Sequence, residues 1–143
     1  MLTPSIRPFL LTTLSIVTLW PLTMRAQANI RSTDTLPVNV VQRGMDAYNR
    51  RDVDAMAALY DTVVVHESLV DSTGPQRMSR AAVRDGILKS FQQARNSKLT
   101  LVKRIATGPF VVDVYDLAMD GKRSRHLDLF EVRKGKIVRE WEN

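Results

Sequence analysis

Apolar residues recur along the chain with two different spacings, first helical and then strand-like. From Pro37 onward they are separated by three and four positions as far as Tyr48, which predicts an amphipathic helix. Asp52 is placed to cap a second, short helix and Ser79 to cap a third, because their side-chain oxygens accept hydrogen bonds from free backbone N–H groups. The first part of the domain is therefore predicted to be mainly helical.

The second half of the chain alternates between apolar and polar residues, as half-buried strands do. One strand is predicted over residues 62–69, between the second and third helices, and another over residues 98–107. Two hairpins finish the chain, with two-residue turns of Asp-Gly at 120–121 and Lys-Gly at 134–135. The predicted order is α-α-β-α-β-β-β-β. This order indicates an α+β fold, with a curved, mainly antiparallel sheet wrapped around three helices.

The first residues differ from the rest of the 143-residue chain, whose formal net charge is +6. Arg7 is the only charged side chain before an apolar run that ends near Pro21, and small residues follow at Ala26 and Ala28. This pattern predicts a secretory signal peptide over residues 1–28, cleaved after Ala28.

The remainder is predicted to form one domain. Residues 29–36 are polar and aperiodic, which predicts a flexible leader, and the domain covers residues 37–143. The chain has no cysteine, so neither a disulfide nor a lipid-bearing thiol is expected. Export without disulfides indicates a periplasmic or extracellular protein, with no membrane contact after cleavage. An uncleaved membrane anchor is the alternative.

The hairpin around position 120 places polar side chains on the face where apolar residues are expected. Its two-residue turn sets Asp113 opposite Asp128 and Tyr115 opposite His126. Two carboxylates in direct opposition destabilise the sheet unless one is protonated or a cation or ligand lies between them. The face is therefore a candidate catalytic site, with Asp113, His126 and Asp128 as its acid–base groups.

Aromatic residues and one further acid are predicted to join this face. Phe130 lies on it, and the second turn is expected to set Trp141 beside the carboxyls. Glu67 shares the parity of the valines in the first strand, so it either joins the face or is a surface acid at the strand end. The structural alternative is a buried network in which His126 or Arg139 neutralises the carboxyls.

Other kinds of site are not expected. His66 and His126 are the only histidines, and by parity they point to opposite faces, so no metal site is predicted. The densest basic cluster, at residues 122–125, has no interleaved aromatic residues, so no nucleic-acid surface is predicted. The chain has no glycine-rich phosphate loop, and no cofactor is expected.

Three strings of the sequence resemble the nuclear-transport-factor-2-like superfamily: "AYNRRDVDAMAALYDTVVV", "MSRAAVRDGILKSF" and "HLDLFEVRKGKIVREW". They are most similar to its SnoaL-like and ketosteroid-isomerase-like branch, and the resemblance covers residues 37–143. It implies a cone-shaped fold, in which a bent sheet and long helices enclose a deep pocket. It also implies frequent dimerisation through the outer face of the sheet.

The resemblance implies roles for single residues. Ketosteroid isomerases carry a carboxylate base where this chain has Glu67, and a protonated oxyanion donor where it has Asp128. The chain departs from that pattern at Gly44, where these isomerases have a pocket tyrosine. His126 and Tyr115 resemble instead the acid–base sets of hydratase and cyclase relatives.

The sequence is compatible with two functions. One is an exported, cofactor-free isomerase, cyclase or hydratase acting on a small apolar carbonyl compound. The other is a non-catalytic ligand-binding or protein-interaction domain on the same fold. In either case the pocket is predicted to be lined by Tyr48, Tyr115, Phe130 and Trp141. A homodimer is expected because the outer face of the sheet is apolar at Val112, Val114, Leu127, Leu129 and Val138.

We predict that the exported protein begins at Asn29. Mass spectrometry of protein recovered from the periplasm or medium should give the mass of residues 29–143, because signal peptidase cuts after small residues. A mass that includes Met1 would contradict cleavage.

Overall fold

A computed structural model describes residues 33–143. The predicted signal peptide and the first residues of the predicted leader lie outside these described residues. From position 37 onward the chain forms three helices and six strands. In chain order they are α1 (Pro37–Arg50), α2 (Val53–Ala57), β1 (Tyr60–Ser68), β2 (Gln76–Ser79), α3 (Arg80–Gln93), β3 (Lys98–Thr107), β4 (Phe110–Met119), β5 (Lys122–Arg133) and β6 (Lys136–Glu142).

The predicted caps of the second and third helices are confirmed. Asp52 Oδ1 accepts a hydrogen bond of 2.9 Å from the backbone N–H of Ala55, and Ser79 Oγ accepts one of 3.1 Å from that of Ala82. Each bond satisfies a backbone donor that has no partner within the helix.

The end of α1 is tied to the end of α3 by one side chain. Arg51 follows α1 in the left-handed conformation, with φ of 58°. Its guanidinium donates to the carbonyl oxygens of Phe91 and Ala94 and lies over the Phe91 ring, 4.5 Å from its centroid. A cation at the carbonyl end of a helix is stabilising, so Arg51 holds these two helices together.

All six strands belong to one sheet, in the order β2-β1-β6-β5-β4-β3. The pairing of β1 with β6 is parallel, and the other pairs are antiparallel. The predicted α+β class, the three helices and the mainly antiparallel sheet are confirmed. Strand β2 is an addition to the predicted order, since its four residues lie in a stretch with no alternation and end at the cap residue Ser79 itself.

The turns set the register of β4 with β5 as predicted. Residues 120–121 and 134–135 all have positive φ, between 49° and 76°, as two-residue hairpin loops require. Asp113 accordingly lies opposite Asp128, and Tyr115 lies opposite His126.

The register of β5 with β6 changes after the first residues beyond the turn. A β-bulge between Glu131 and Val132 adds one residue to β6. Beyond it, Asp128 lies opposite Glu142, and Trp141 therefore points to the other face. The expected position of Trp141 beside Asp128 is wrong, because one inserted residue reverses the alternation of the strand.

The main core lies between α1, the start of β1 and the inner face of the sheet. The exposed segment before α1 lies against the β5–β6 turn, since a Cβ at Gly135 would lie 2.9 Å from Thr35. Among the described residues, no helix is long and apolar enough to cross a membrane. The buried core residues are Val40, Val41, Leu59, Tyr60, Val64, Val111, Val132 and Ile137.

Candidate functional site

The inner face of the sheet and the three helices enclose a cavity of about 400 Å³. Most of its wall is apolar. Its hydrophobic residues include Val41, Met45, Met56, Leu59, Val64, Met78, Val83, Ile87, Phe91, Leu99, Phe130 and Ile137. Its phenols and ionisable groups are Tyr48, Tyr60, His66, Asp113, Tyr115, Asp128, Glu140 and Glu142.

The first strand contributes His66 to this cavity, and Glu67 points away from it. The parallel pairing of β1 with β6 sets His66 beside Glu140 and Glu67 beside Trp141 on the opposite face. The predicted place of Glu67 on the cavity side is therefore wrong. The parity was assigned from the neighbouring valines at odd positions, whereas Val64, which is 1% exposed, carries the inner face.

Asp113 is neutralised by an arginine from β3. Arg104 Nε and Nη2 donate to its two carboxylate oxygens at 2.6 and 2.5 Å, and Arg104 Nη1 donates to Gln42 Oε1 at 2.7 Å. The Asp113 side chain is 2% exposed. Two parallel bonds of this kind are a strong, directional pairing. The alternative in which His126 or Arg139 neutralises this carboxylate is wrong, because Arg104 does so.

Asp128 lies in the same wall with only part of its hydrogen-bonding capacity used. The Tyr115 hydroxyl donates to Oδ2 at 2.9 Å, and Oδ1 has no partner among the described residues. Burial raises the pKa of the Asp128 carboxyl from 3.8 to about 7, and this effect exceeds the lowering by Tyr115. A carboxyl with this pKa exchanges its proton near neutral pH.

Glu140 is a second buried acid on the neighbouring strand. The Tyr60 hydroxyl donates to its Oε2 at 3.0 Å. Burial, followed by the charges of Asp128 and Glu142, raises the pKa of the Glu140 carboxyl to about 8. Glu140 lies diagonally across the β5–β6 pair from Asp128, and both side chains line the cavity. The Cα atoms of such diagonal neighbours are roughly 7–8 Å apart.

The two tyrosines act as hydrogen-bond donors in this arrangement. Burial and the nearby carboxyl groups raise the pKa of both Tyr60 and Tyr115. Both phenols therefore keep their protons at any physiological pH. Each phenol bonds one oxygen of its carboxyl partner, and Asp128 Oδ1 has no partner among the described residues.

His66 links the buried acid to the rim of the cavity. Its Nδ1 lies 4.0 Å from Glu140 Oε2, and its Nε2 lies 3.3 Å from Glu142 Oε1. The Glu142 side chain is 52% exposed, while that of Glu140 is 15% exposed. The three side chains lie in series from the rim to the inner carboxyl, and the 4.0 Å gap at Glu140 is longer than a hydrogen bond.

The remaining predicted site residues have different surroundings. Tyr115 and Phe130 line the cavity. His126 stacks on Tyr115, with 5.6 Å between ring centroids, and its ring nitrogens contact Ser124 and the Asn143 carbonyl. His126 therefore holds Tyr115 from outside the cavity wall. Trp141 lies on the outer face under the guanidinium of Arg139.

Tyr48 reaches the cavity from α1. Its hydroxyl donates to Ser97 Oγ at 2.9 Å, and its ring meets Phe91 edge to face at 5.0 Å. Because the hydroxyl is already bonded, Tyr48 offers a ligand mainly its aromatic surface.

Sequence reasoning missed several groups that make up the site. The missing signal differed between them: Tyr60 lies before the predicted first strand, that strand was given the opposite parity, no register was assigned between β3 and β4, and a bulge shifts β6 by one residue. No group of three or more potential ligands within residues 33–143 is arranged to hold a metal ion. The missed groups are Tyr60, His66, Arg104, Glu140 and Glu142.

Comparison with known proteins supports the resemblance seen in the sequence. The sequence profile of the SnoaL-like domain matches residues 41–140. The fold is similar to the candidate polyketide cyclase IdmH from Streptomyces antibioticus, with 17% identity and a TM-score of 0.62 over 76% of this chain and 91% of that one. Comparison with curated proteins gave no match.

Two further solved structures share the fold. A candidate ketosteroid isomerase from Kribbella flavida has 23% identity and a TM-score of 0.61 over 72% of this chain and 73% of that one. An NTF2-like protein from Cytophaga hutchinsonii has 17% identity and a TM-score of 0.61 over 75% of this chain and 88% of that one. The predicted superfamily and its fold are confirmed.

We predict that Arg104→Met destabilises the domain by about 3–5 kcal/mol, because it leaves the buried Asp113 carboxylate without a counter-charge. Urea denaturation measures the loss, and Arg104→Met combined with Asp113→Asn should recover most of it. Arg125→Met is the matched control. It removes a similar two-bond pairing with Asp116, but the Arg125 side chain is 62% exposed, so the loss should be much smaller. Equal losses would contradict a structural role for the Arg104 pair.

We also predict that Asp128 makes stability depend on pH. Its folded-state pKa is raised, so its stabilising contribution is complete below about pH 4 and is lost as the pH rises through about 7. Asp128→Asn should therefore gain stability relative to the parent by about 1.4 kcal/mol per pH unit across that window. Thermal melts of both proteins and of the Glu67→Gln control would measure this. A constant difference between Asp128→Asn and the parent would contradict the raised pKa.

Proposed function

The chain belongs to the family of SnoaL-like domains, and from that premise we propose that it is an exported protein whose cavity performs cofactor-free proton transfer on a small apolar carbonyl compound. One observation carries this proposal. Two carboxyls, Asp128 and Glu140, share an apolar cavity, and their pKa values of about 7 and about 8 bracket a narrow range around neutral pH.

Asp128 is the proposed base. Above its pKa the ionised carboxylate takes a proton from the carbon next to the carbonyl group, through the Oδ1 atom that has no protein donor. The electron pair of the broken C–H bond forms the double bond of an enol. Tyr115 stays bonded to Oδ2 and keeps the carboxylate oriented during the transfer.

Glu140 is the proposed acid. Below its pKa it holds a proton, which it gives to the carbonyl oxygen as the enol forms, while Tyr60 stabilises the resulting carboxylate. His66 and Glu142 then return a proton to Glu140 from the rim. Because the base must be ionised and the acid protonated, the rate should be highest between about pH 7 and 8.

The comparisons are compatible with this class of reaction. The solved structures with the same fold include a candidate polyketide cyclase and a candidate ketosteroid isomerase. Cyclisation and isomerisation of carbonyl compounds both begin with removal of a proton beside the carbonyl group. With identities of 17% and 23%, however, the likeness supports the fold alone, and the reaction is argued from the cavity.

A second function, ligand binding without turnover, is favoured by one feature of the same carboxyl. The free oxygen of Asp128 is itself buried, and the side chain is 8% exposed. A ligand would have to displace neighbouring side chains to reach it. In a binding protein this acid would only stabilise the ligand, and no proton would be exchanged with carbon.

We further propose that two copies pair through the outer face of the sheet. Val112 lies opposite Leu129, and Val114 opposite Leu127, on the side away from the cavity. Ile105 pairs with Val112 and is 52% exposed. An apolar surface of this extent is typical of a protein interface.

We predict that the protein accelerates exchange of the α-hydrogens of β-tetralone, a small apolar ketone, with D2O. Asp128→Asn should lower that rate by about 100-fold or more, because it removes the base, and Glu140→Gln should lower it by a similar factor because it removes the acid. Proton NMR measures the loss of the α-hydrogen signal.

Glu67→Gln is the matched control for that experiment, since Glu67 lies on the face opposite the cavity. It should exchange at the parent rate. Binding of β-tetralone, seen by saturation-transfer NMR, without any acceleration of exchange would contradict catalysis and favour the binding function.

We predict that the mature protein sediments as a dimer at micromolar concentration, and that Leu129→Lys converts it to a monomer by placing a charge in the apolar interface. Leu88→Lys on α3 changes a leucine that is 38% exposed and lies outside this face, so it should leave the dimer intact. A monomeric parent would contradict the proposed interface.

A further inference from the structure

The cavity contains more acid than its own residues can balance. Five ionisable side chains other than tyrosine line it, and four of them are carboxyls. Arg104 pairs with Asp113 through two hydrogen bonds. Three carboxyls, those of Asp128, Glu140 and Glu142, then remain against the single imidazole of His66. Since the whole chain has a net charge of +6, this acidity is a property of the cavity and not of the composition.

One of these carboxyls also has a buried oxygen without a donor. Asp128 is 8% exposed, and its Oδ1 has no hydrogen-bond partner among the described residues. A buried polar atom of this kind costs free energy unless a ligand or water supplies the bond. Because Asp128 lines the cavity, a ligand that displaces the neighbouring side chains can supply the missing donor.

We infer that the cavity binds an apolar compound bearing a protonated amine, with the charged nitrogen beside Asp128 and Glu140. The location of the site rests on the proposed function. Because an amine ionises Glu140, which the proposed reaction needs in its protonated form, it would occupy this site in place of a carbonyl substrate and would not react there. An ammonium group supplies both missing elements, a positive charge for the excess carboxyls and N–H donors for Asp128 Oδ1.

The rest of the wall suits such a ligand. The aromatic rings of Tyr48, Phe91, Tyr115 and Phe130 line the same cavity, and ring faces attract cations. The apolar helix side chains would cover the body of the ligand. An anionic ligand, such as a fatty acid, would instead meet three carboxyls and only one group able to carry a positive charge.

Binding of a cation should release protons from the cavity. Burial raises the pKa of both Asp128 and Glu140, so each gives up its proton when an ammonium ion stabilises the carboxylate. The affinity should therefore increase as the pH rises through that range. The titratable and charged groups around Asp128 are Tyr60 and His66 from β1, Arg104 from β3, Asp113 and Tyr115 from β4, His126 from β5, and Glu140 and Glu142 from β6.

The test uses three probes that share one apolar body and differ in charge: 1-adamantylamine, 1-adamantanol and 1-adamantanecarboxylate. Isothermal titration calorimetry of the mature protein should show the amine binding at least about tenfold more tightly than the alcohol near pH 8, which corresponds to about 1.4 kcal/mol. The carboxylate should bind most weakly. Near pH 6 the advantage of the amine should shrink, and its binding should release protons to the buffer.

Two variants and a control assign the effect to the cavity. Asp128→Asn and Glu140→Gln should each remove most of the preference for the amine while the alcohol binds as before. Glu67→Gln should behave like the parent. Equal affinity for amine and alcohol at both pH values would overturn the inference and leave the proposed carbonyl chemistry intact. Failure of every probe to bind would overturn the inference, while the β-tetralone exchange rate would still judge the proposed function on its own.

Discussion

The β-bulge between Glu131 and Val132 determines which side chains of β6 enter the cavity. Without the inserted residue, Trp141 would face inward beside Asp128, and Glu140 and Glu142 would lie on the outer face. With it, two acids replace an indole in the cavity wall. The parallel pairing of β1 with β6 then brings His66 beside Glu140, so the acidic half of the site follows from this one irregularity.

The carboxyls of the cavity fall into two physical groups. Asp113 has a bidentate arginine partner and serves the fold, since removing either member would leave a buried charge. Asp128 and Glu140 have a tyrosine donor each and no arginine partner, so burial raises the pKa of both into the neutral range. Chemistry near neutral pH, or the binding of a cation, needs groups of the second kind.

The parts of the molecule that local rules govern could be predicted from the sequence. The Asp-Gly turn at 120–121 sets the opposition of Asp113 and Asp128, and the caps at Asp52 and Ser79 mark two helix starts. Side chains beyond a bulge could not be assigned to a face of the sheet. One inserted residue reverses the face to which each later side chain points, and the composition of the strand does not reveal it. Glu140 was missed for this reason, whereas Arg104 lies on the turn side of the β3 bulge and was missed because no register had been assigned between β3 and β4. Glu67 was placed wrongly because adjacent valines at odd and even positions leave the parity of β1 ambiguous.

Both proposed roles of the cavity require that a buried carboxyl keep its proton to neutral pH. The most direct measurement is a ¹³C NMR titration of the Asp128 side-chain carboxyl, assigned by comparison with Asp128→Asn. We expect a midpoint near pH 7. A midpoint near pH 4, the ordinary range for aspartate, would show that the cavity leaves this carboxyl ionised at neutral pH, and would contradict the account.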